Sequence, residues 1–155
     1  MIGSGRGASG TDDENAGAER VYCRYMQKII FITGASSGIG QASAAKLVAD
    51  GHIVYGTARR ESGAEAVRAI GAKPLIVEMT EYDSLTAAVE TVMAAEGRID
   101  VLINNAGYGC YGAVEDVPID DAREQFEVTL FGLARLTQLV LPHLRAQRCG
   151  TIINI

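Results

Sequence analysis

A glycine-rich segment directly after an apolar run is the feature that most constrains this chain. The run Ile29–Ile32 is followed by residues 33–40, which read TGASSGIG. This order predicts a buried strand, a tight loop and the start of a helix. Glycine allows positive φ and lets backbone approach a ligand with no Cβ in the way. Because the first N–H groups of a helix are unpaired and lie at the positive end of its dipole, the loop favours an anion such as a pyrophosphate.

Strand and helix patterns alternate along the rest of the chain. Strands are predicted at 28–33, 53–57, 74–78, 101–104 and from 151, and helices at 39–50, 61–70, 83–95 and 119–147. Asp83 is expected to cap the third helix, and the first three helices are expected to end at Gly51, Gly71 and Gly97. The alternation predicts an α/β fold, a doubly wound parallel sheet of strand order 3-2-1-4-5. A ligand is then expected at the switch between strands 1 and 4.

Length, charge and cysteine content limit the class of protein. The chain has 155 residues, 48% of them hydrophobic and 21% charged, with a net charge of −5. These values fit one globular domain and give no general electrostatic case for binding nucleic acid or an anionic membrane. No apolar run approaches the ~20 residues of a membrane span. The odd number and wide spacing of Cys23, Cys110 and Cys149 favour a reduced, cytoplasmic compartment over a disulfide framework or a metal site.

The first 25 residues differ in composition from the rest of the chain. Residues 1–10 are rich in glycine and serine, and residues 11–20 are charged and poor in apolar side chains. Such a segment cannot bury enough surface to offset its ordering entropy. We therefore expect a disordered extension over residues 1–25, a functional start at Met26, and an incomplete nucleotide-binding domain over residues 26–155.

A second motif, Asn-Asn-Ala-Gly, ends the fourth predicted strand at residues 104–107. Short polar side chains there can form the floor of a nucleotide site, or can simply hold two strand ends together. Asp100 and Val101 precede this motif. Together with the glycine loop, these residues make the chain resemble the compact single-domain branch of the short-chain dehydrogenase/reductase family. The resemblance covers about residues 27–155.

The resemblance implies a Rossmann-like fold and a nicotinamide cofactor. The residues it places along the pyrophosphate and the adjoining ribose are Gly34, Ser36, Ser37, Gly38, Ile39 and Gly40. It places Asn105, Ala106 and Gly107 on the adenosine-ribose side. The family often ends its third strand in Asp-Val, which brackets the adenine, and the matching pair here is Glu78 and Met79.

The end of the second predicted strand favours NADP over NAD. An acidic residue at this corner would bind the 2′-hydroxyl of NAD and repel a 2′-phosphate. The chain instead carries Arg59 and Arg60, and guanidinium groups can bind a phosphate dianion bidentately. The alternative is that both arginines are solvated surface residues.

No catalytic residue is expected within these 155 residues. The resemblance implies a serine just after the fifth strand and a Tyr-x-x-x-Lys further along, and the sequence stops at Ile155. No Tyr-x-x-x-Lys occurs in it, and Thr129 stands where the family has an asparagine that holds a water. A positioned general acid contributes ~10²–10⁴ in rate, so the chain alone is expected to be inactive or nearly so.

The sequence therefore predicts the cofactor-binding part of an NADP-dependent oxidoreductase that acts on a small-molecule alcohol or carbonyl. The sheet is expected to be truncated after its fifth strand, which would leave that strand, Leu130 and Leu133 exposed and prone to self-association. A complete protein is expected to be a homo-oligomer. The alternative is a noncatalytic nucleotide-binding or interaction fragment.

Overall fold

The structure of this chain is a computed structural model that describes residues 27–155. The expected disordered extension and the expected start at Met26 lie outside the described residues. The strands are β1 (Ile29–Ile32), β2 (Ile53–Ala58), β3 (Lys73–Ile76), β4 (Val101–Asn104) and β5 (Thr151–Asn154). They form one sheet of order β3-β2-β1-β4-β5, in which all neighbours are parallel. The predicted strand order and fold class are confirmed.

Helices connect the strands as the alternation predicts. They are α1 (Gly38–Ala49), α2 (Glu61–Ala69), α3 (Tyr82–Glu96), α4 (Ile119–Phe126), a π-helical segment (Glu127–Gly132) and α5 (Leu133–Ala146). Positive φ at Gly51, Gly71 and Gly97 follows the ends of the first three helices, as expected. The predicted cap at Asp83 is wrong, because α3 begins at Tyr82 and places Asp83 inside its first turn.

The helices cover both faces of the sheet. The four residues of β1 are all buried, and alternate side chains of a strand point to opposite faces. Phe31 packs in the larger core cluster with Leu85 of α3 and Leu136 of α5. Ile32 packs in the smaller cluster with Val67 of α2 and residues of α1. Burial on both sides explains why β1 is a continuous apolar run rather than an alternating one.

The last predicted helix is interrupted, and its apolar stripe is only half buried. Leu136, Val140 and Leu144 lie in the core, whereas Phe126 is 56% and Leu130 is 48% exposed. Leu133 is half-buried between the two groups, and most of β5 is exposed at the sheet edge. The expected exposure of Leu130 and of the β5 edge is confirmed, whereas the expected exposure of Leu133 is wrong, because Leu133 is half-buried.

The cysteines differ from the sequence-based expectation. Cys110 is a free thiol, whereas Cys149 is disulfide-bonded. The disulfide at Cys149 differs from the expectation of a reduced compartment rather than a disulfide framework. Within residues 27–155, no helix has both the length and the apolar character needed to cross a membrane.

Candidate functional site

Two loops meet at the carboxyl ends of β1 and β4. The glycine loop comprises residues 33–40, and the amide loop comprises residues 104–107. The Thr33 Oγ1 atom accepts the backbone N–H groups of Asn105 and Ala106, each at 2.9 Å. The Thr33 N–H group donates to the carbonyl oxygen of Ile103 at 3.0 Å. One threonine thus joins both loops at the predicted switch point of the sheet.

The Asn105 side chain adds a second connection between the loops. Its Nδ2 atom donates to the carbonyl oxygens of Thr33 at 2.9 Å and Gly34 at 3.1 Å. Both protons of this amide nitrogen are therefore used by the glycine loop. Asn105 holds two strand ends together, which is the simpler of the two roles weighed for the amide loop.

Two glycines allow this close packing. Gly34 has a φ of +67°, and a Cβ there would lie 2.9 Å from the Cα atom of Ala106. A Cβ on Gly40 would lie less than 3.0 Å from both the Gly34 carbonyl oxygen and Asn105 Nδ2. Gly38 differs, since it has a φ of +56° but no atom within 4 Å of its Cβ position. The loop is thus packed at Gly34 and Gly40 and open at Gly38.

The amino end of α1 is accessible on this open side. Ser37 precedes the helix without a side-chain cap hydrogen bond, and the first turn holds no acidic residue. The Ser37 carbonyl accepts the Gln41 N–H group at 3.1 Å, so the amides ahead of Gln41 lie before the helical hydrogen-bond ladder. Ser37, Gly38 and Ile39 are exposed. Exposed amides at the positive end of a helix dipole can bind an anionic ligand.

The corner between β2 and α2 lies beside the glycine loop. A Cβ on Gly63, in the first turn of α2, would lie 3.0 Å from the Cβ atom of Ser36. Arg59 and Arg60 form this corner, and both are exposed. Neither guanidinium group forms an ion pair or hydrogen bond in the described part of the chain. Both charges are available to a ligand.

The two residues expected at the adenine are in different surroundings. Glu78 is half-buried, and its N–H group donates to Ser84 Oγ at 3.2 Å. Met79 is only 4% exposed and its side chain packs in the larger core cluster. A Cβ on Gly132 would lie 2.5 Å from the Met79 carbonyl oxygen. The structure thus leaves Glu78, but not the Met79 side chain, accessible from the sheet edge.

The loop after Gly107 contacts Gln125 of α4, just ahead of the π-helical segment. The Cys110 N–H group donates to Gln125 Oε1 at 2.8 Å, and Thr129 Oγ1 donates to the Gln125 carbonyl at 2.7 Å. Burial raises the pKa of Tyr108, Glu124 and Cys110 raise it further, and Arg59 opposes them. A tyrosine with a raised pKa is a poor general base near neutral pH.

A tyrosine–lysine pair that the sequence did not indicate lies elsewhere. Tyr55 OH donates to Glu96 Oε1 at 2.7 Å, and Lys73 Nζ donates to Tyr55 OH at 3.2 Å. Burial, and then the hydrogen bond to Glu96, raise the pKa of Tyr55. The cluster joins β2 and β3 to the last residue of α3, away from the glycine loop. Its geometry is that of an ion pair supporting the sheet.

Known proteins share this fold and sequence. The short chain dehydrogenase family matches residues 28–155. A 3-ketodihydrosphingosine reductase of Bacteroides thetaiotaomicron is 44% identical over 128 residues, which cover 83% of this chain and 46% of that protein. A short-chain dehydrogenase from Streptomyces avermitilis superposes with a TM-score of 0.78 at 38% identity, covering 83% of this chain and 49% of that one.

An NAD⁺-bound xylitol dehydrogenase superposes with a TM-score of 0.76 at 28% identity, covering 82% of this chain and 52% of that one. The chain thus spans about half the length of the relatives it matches. The match extends over the whole described sheet, including both loops that form the candidate site. The chain belongs to the short chain dehydrogenase family.

Proposed function

We propose that this chain supplies the cofactor-binding half of an NADP-dependent oxidoreductase that interconverts an alcohol and a carbonyl. The observation that carries the proposal is the exposed amino end of α1 beside two arginines that have no ion-pair partner among residues 27–155. A bound nicotinamide would accept or donate the hydride. The residues of this chain would hold the cofactor and orient it.

The pyrophosphate is assigned to the amino end of α1. The exposed backbone amides at Ser37, Gly38 and Ile39 supply hydrogen-bond donors, and the helix dipole favours the negative charge. Gly34 and Gly40 contribute by letting the loop pack closely, and Ser36 faces the β2–α2 corner.

The adenosine end is assigned to the adjoining sheet edge. Ala106 and Gly107 border the ribose, with Asn105 holding the loop from beneath. Glu78 is the proposed acceptor for the adenine amine. Met79 would contribute through its backbone, because its side chain is in the core.

Arg59 and Arg60 are the basis for choosing NADP. Family membership allows either nicotinamide cofactor, and one solved relative, the xylitol dehydrogenase, carries the unphosphorylated NAD⁺. A 2′-phosphate needs positive charge where a 2′-hydroxyl needs an acidic acceptor. The corner offers two guanidinium groups that no described acidic side chain neutralises.

The test is a comparison of NADPH and NADH affinities in the Arg59→Ala variant. A hydrogen bond to a charged group contributes about 1.5–3 kcal/mol, so the variant should bind NADPH about 10- to 150-fold more weakly. NADH affinity should change little. Arg145→Ala is the matched control, since Arg145 is exposed near the end of α5, where Gln147 bonds to Ile99 ahead of β4. Equal affinities for the two cofactors in the unmodified chain would contradict the assignment.

The alternative function is a noncatalytic nucleotide-binding or interaction fragment. The exposed stripe on α4 and the π-helical segment favours it, because such a surface suits a protein contact. This alternative would be supported if the native protein ended at Ile155 and bound the cofactor without transferring hydride to any alcohol or carbonyl. Homo-oligomerisation of a complete protein is part of the main proposal.

A cytoplasmic location is also proposed, on the small number and wide spacing of the cysteines. The disulfide-bonded Cys149 counts against it, because disulfides are rare in reducing compartments. Fractionation of cells that express the chain would separate the two possibilities.

A further inference from the structure

Thr57, near the end of β2, contacts the glycine loop through two of its atoms. Its Oγ1 atom accepts the Gly34 N–H group at 3.0 Å. Its carbonyl oxygen accepts the Ala35 N–H group at 2.9 Å. Thr57 is 3% exposed, so these bonds are shielded from water and a lost partner would not be readily replaced by solvent.

Small residues on either side of Thr57 extend this contact. A Cβ on Gly56 would lie 2.7 Å from the Cβ atom of Ala35. A Cβ on Gly63 would lie 2.9 Å from the Cβ atom of Ala58 and 3.0 Å from that of Ser36. The glycine loop therefore packs directly against the β2–α2 corner, through the short side chains of Ala35 and Ser36.

The position of Thr57 relative to the two proposed phosphate subsites gives these contacts a functional meaning. The atoms bonded to it belong to the start of the glycine loop, and Arg59 follows two residues later in the chain. A shift of the glycine loop away from Thr57 would change the distance between the α1 amides and the Arg59 guanidinium. The pyrophosphate and the ribose 2′ position, which carries a phosphate in NADPH and a hydroxyl in NADH, must lie at both places at once, so the spacing matters for both cofactors.

We propose that Thr57 is a positioning residue that holds the glycine loop and the β2–α2 corner together as one cofactor clamp. The expected effect on cofactor affinity rests on the proposed function, whereas the contact between Thr57 and the glycine loop does not depend on any ligand. Thr57 touches neither phosphate group and acts through Gly34 and Ala35. Its loss should therefore weaken NADPH and NADH alike, unlike the loss of Arg59.

Three variants separate positioning from simple stabilisation. Thr57→Val keeps the side-chain shape but removes the hydroxyl that accepts the Gly34 N–H group, whereas Thr57→Ser retains a hydroxyl at this position. Thr91→Val is the matched control, because Thr91 is an exposed threonine of α3 whose hydroxyl donates to the Ala87 carbonyl of its own helix, at 2.7 Å. Each variant is compared with the unmodified chain by cofactor titration and by amide hydrogen exchange without cofactor.

Thr57→Val should weaken the binding of both cofactors by about tenfold, because a Gly34 N–H group without its acceptor favours loop positions away from Thr57, and cofactor binding must then restore the loop position. In the absence of cofactor, the Gly34 amide should exchange at least about tenfold faster. Thr57→Ser should restore both values, and Thr91→Val should change neither.

The proposal is overturned if Thr57→Val leaves both affinities unchanged while lowering only the melting temperature, or if Gly34 exchange is unaffected. A chain that binds neither cofactor refutes the proposed function instead. In that case the exchange rate of Gly34 still decides whether Thr57 holds the loop.

Discussion

The substitution Gly40→Ala gives the sharpest test of how the two loops fit together. Alanine is favoured over glycine in a helix by about 0.5–1 kcal/mol, and Gly40 lies in the first turn of α1. Helix propensity alone therefore predicts a more stable protein. The structure predicts the opposite sign, because the new Cβ would lie less than 3.0 Å from the Gly34 carbonyl oxygen and from Asn105 Nδ2.

The expected loss in the free energy of unfolding follows from the atoms that the new Cβ of Gly40→Ala would displace. Overpacking a well-packed site costs about 1–3 kcal/mol. Moving Asn105 Nδ2 from its two acceptors costs about 0.5–1.5 kcal/mol for each hydrogen bond. After subtracting the gain in helix propensity, we expect a net loss of about 1–5 kcal/mol in the free energy of unfolding.

Urea unfolding of the full chain, followed by circular dichroism, measures this change. Ala42→Gly is the control, since Ala42 is exposed on the same helix and reports the propensity difference in reverse. A Gly40→Ala protein as stable as the unmodified chain, or more stable, would refute the close packing of the glycine and amide loops.

Other contacts in the molecule give three more predictions. Asn105→Ala should lower the free energy of unfolding by about 1–3 kcal/mol, because two loop carbonyls lose their donor; an unchanged urea midpoint would contradict this. The hydrogen bond from Lys73 holds the pKa of Glu96 below its ordinary value. The ionised Glu96 therefore stabilises the folded state at a pH above its unfolded-state pKa, and this stabilisation is lost as the pH falls through its folded-state pKa. In acid titrations of stability, Glu96→Gln should flatten the decline and the exposed control Glu90→Gln should not. Leu130→Glu should reduce self-association in light scattering, since Leu130 is 48% exposed; a monomeric unmodified chain at all concentrations would remove the basis for it.

The sheet could be predicted because its determinants are local. Apolar runs covered on both faces indicate parallel strands, and the right-handed crossover leaves few possible orders. Positive φ at Gly51, Gly71 and Gly97 is likewise a property of a single residue type at a helix end. The predicted cap at Asp83 failed because Tyr82 and Asp83 both joined the helix, which a short polar residue alone does not exclude.

The features that could not be predicted depend on contacts between distant segments. The π-helical segment makes two such contacts. A Cβ on Gly107 would lie 3.1 Å from Cγ2 of Thr129, which belongs to this segment. A Cβ on Gly132, its last residue, would lie 2.5 Å from the Met79 carbonyl oxygen. A regular helical stripe gives no sign of such a widened turn. The contacts of Thr57 with Gly34 also escape a sequence pattern, because 23 residues separate the partners. Family resemblance indicated the two loops of the candidate site but did not show which way the Asn105 amide points.

A residue-resolved NMR titration of the full chain with NADPH tests the central claim most directly. We expect saturable shifts at the amides of residues 36–40 and at Arg59, with smaller shifts at Arg59 when NADH is used. Residues 145–148, at the far end of α5, should not respond. Shifts confined to other surfaces, or no saturable shift at the glycine loop, would contradict the assignment of this chain as a nicotinamide cofactor-binding half.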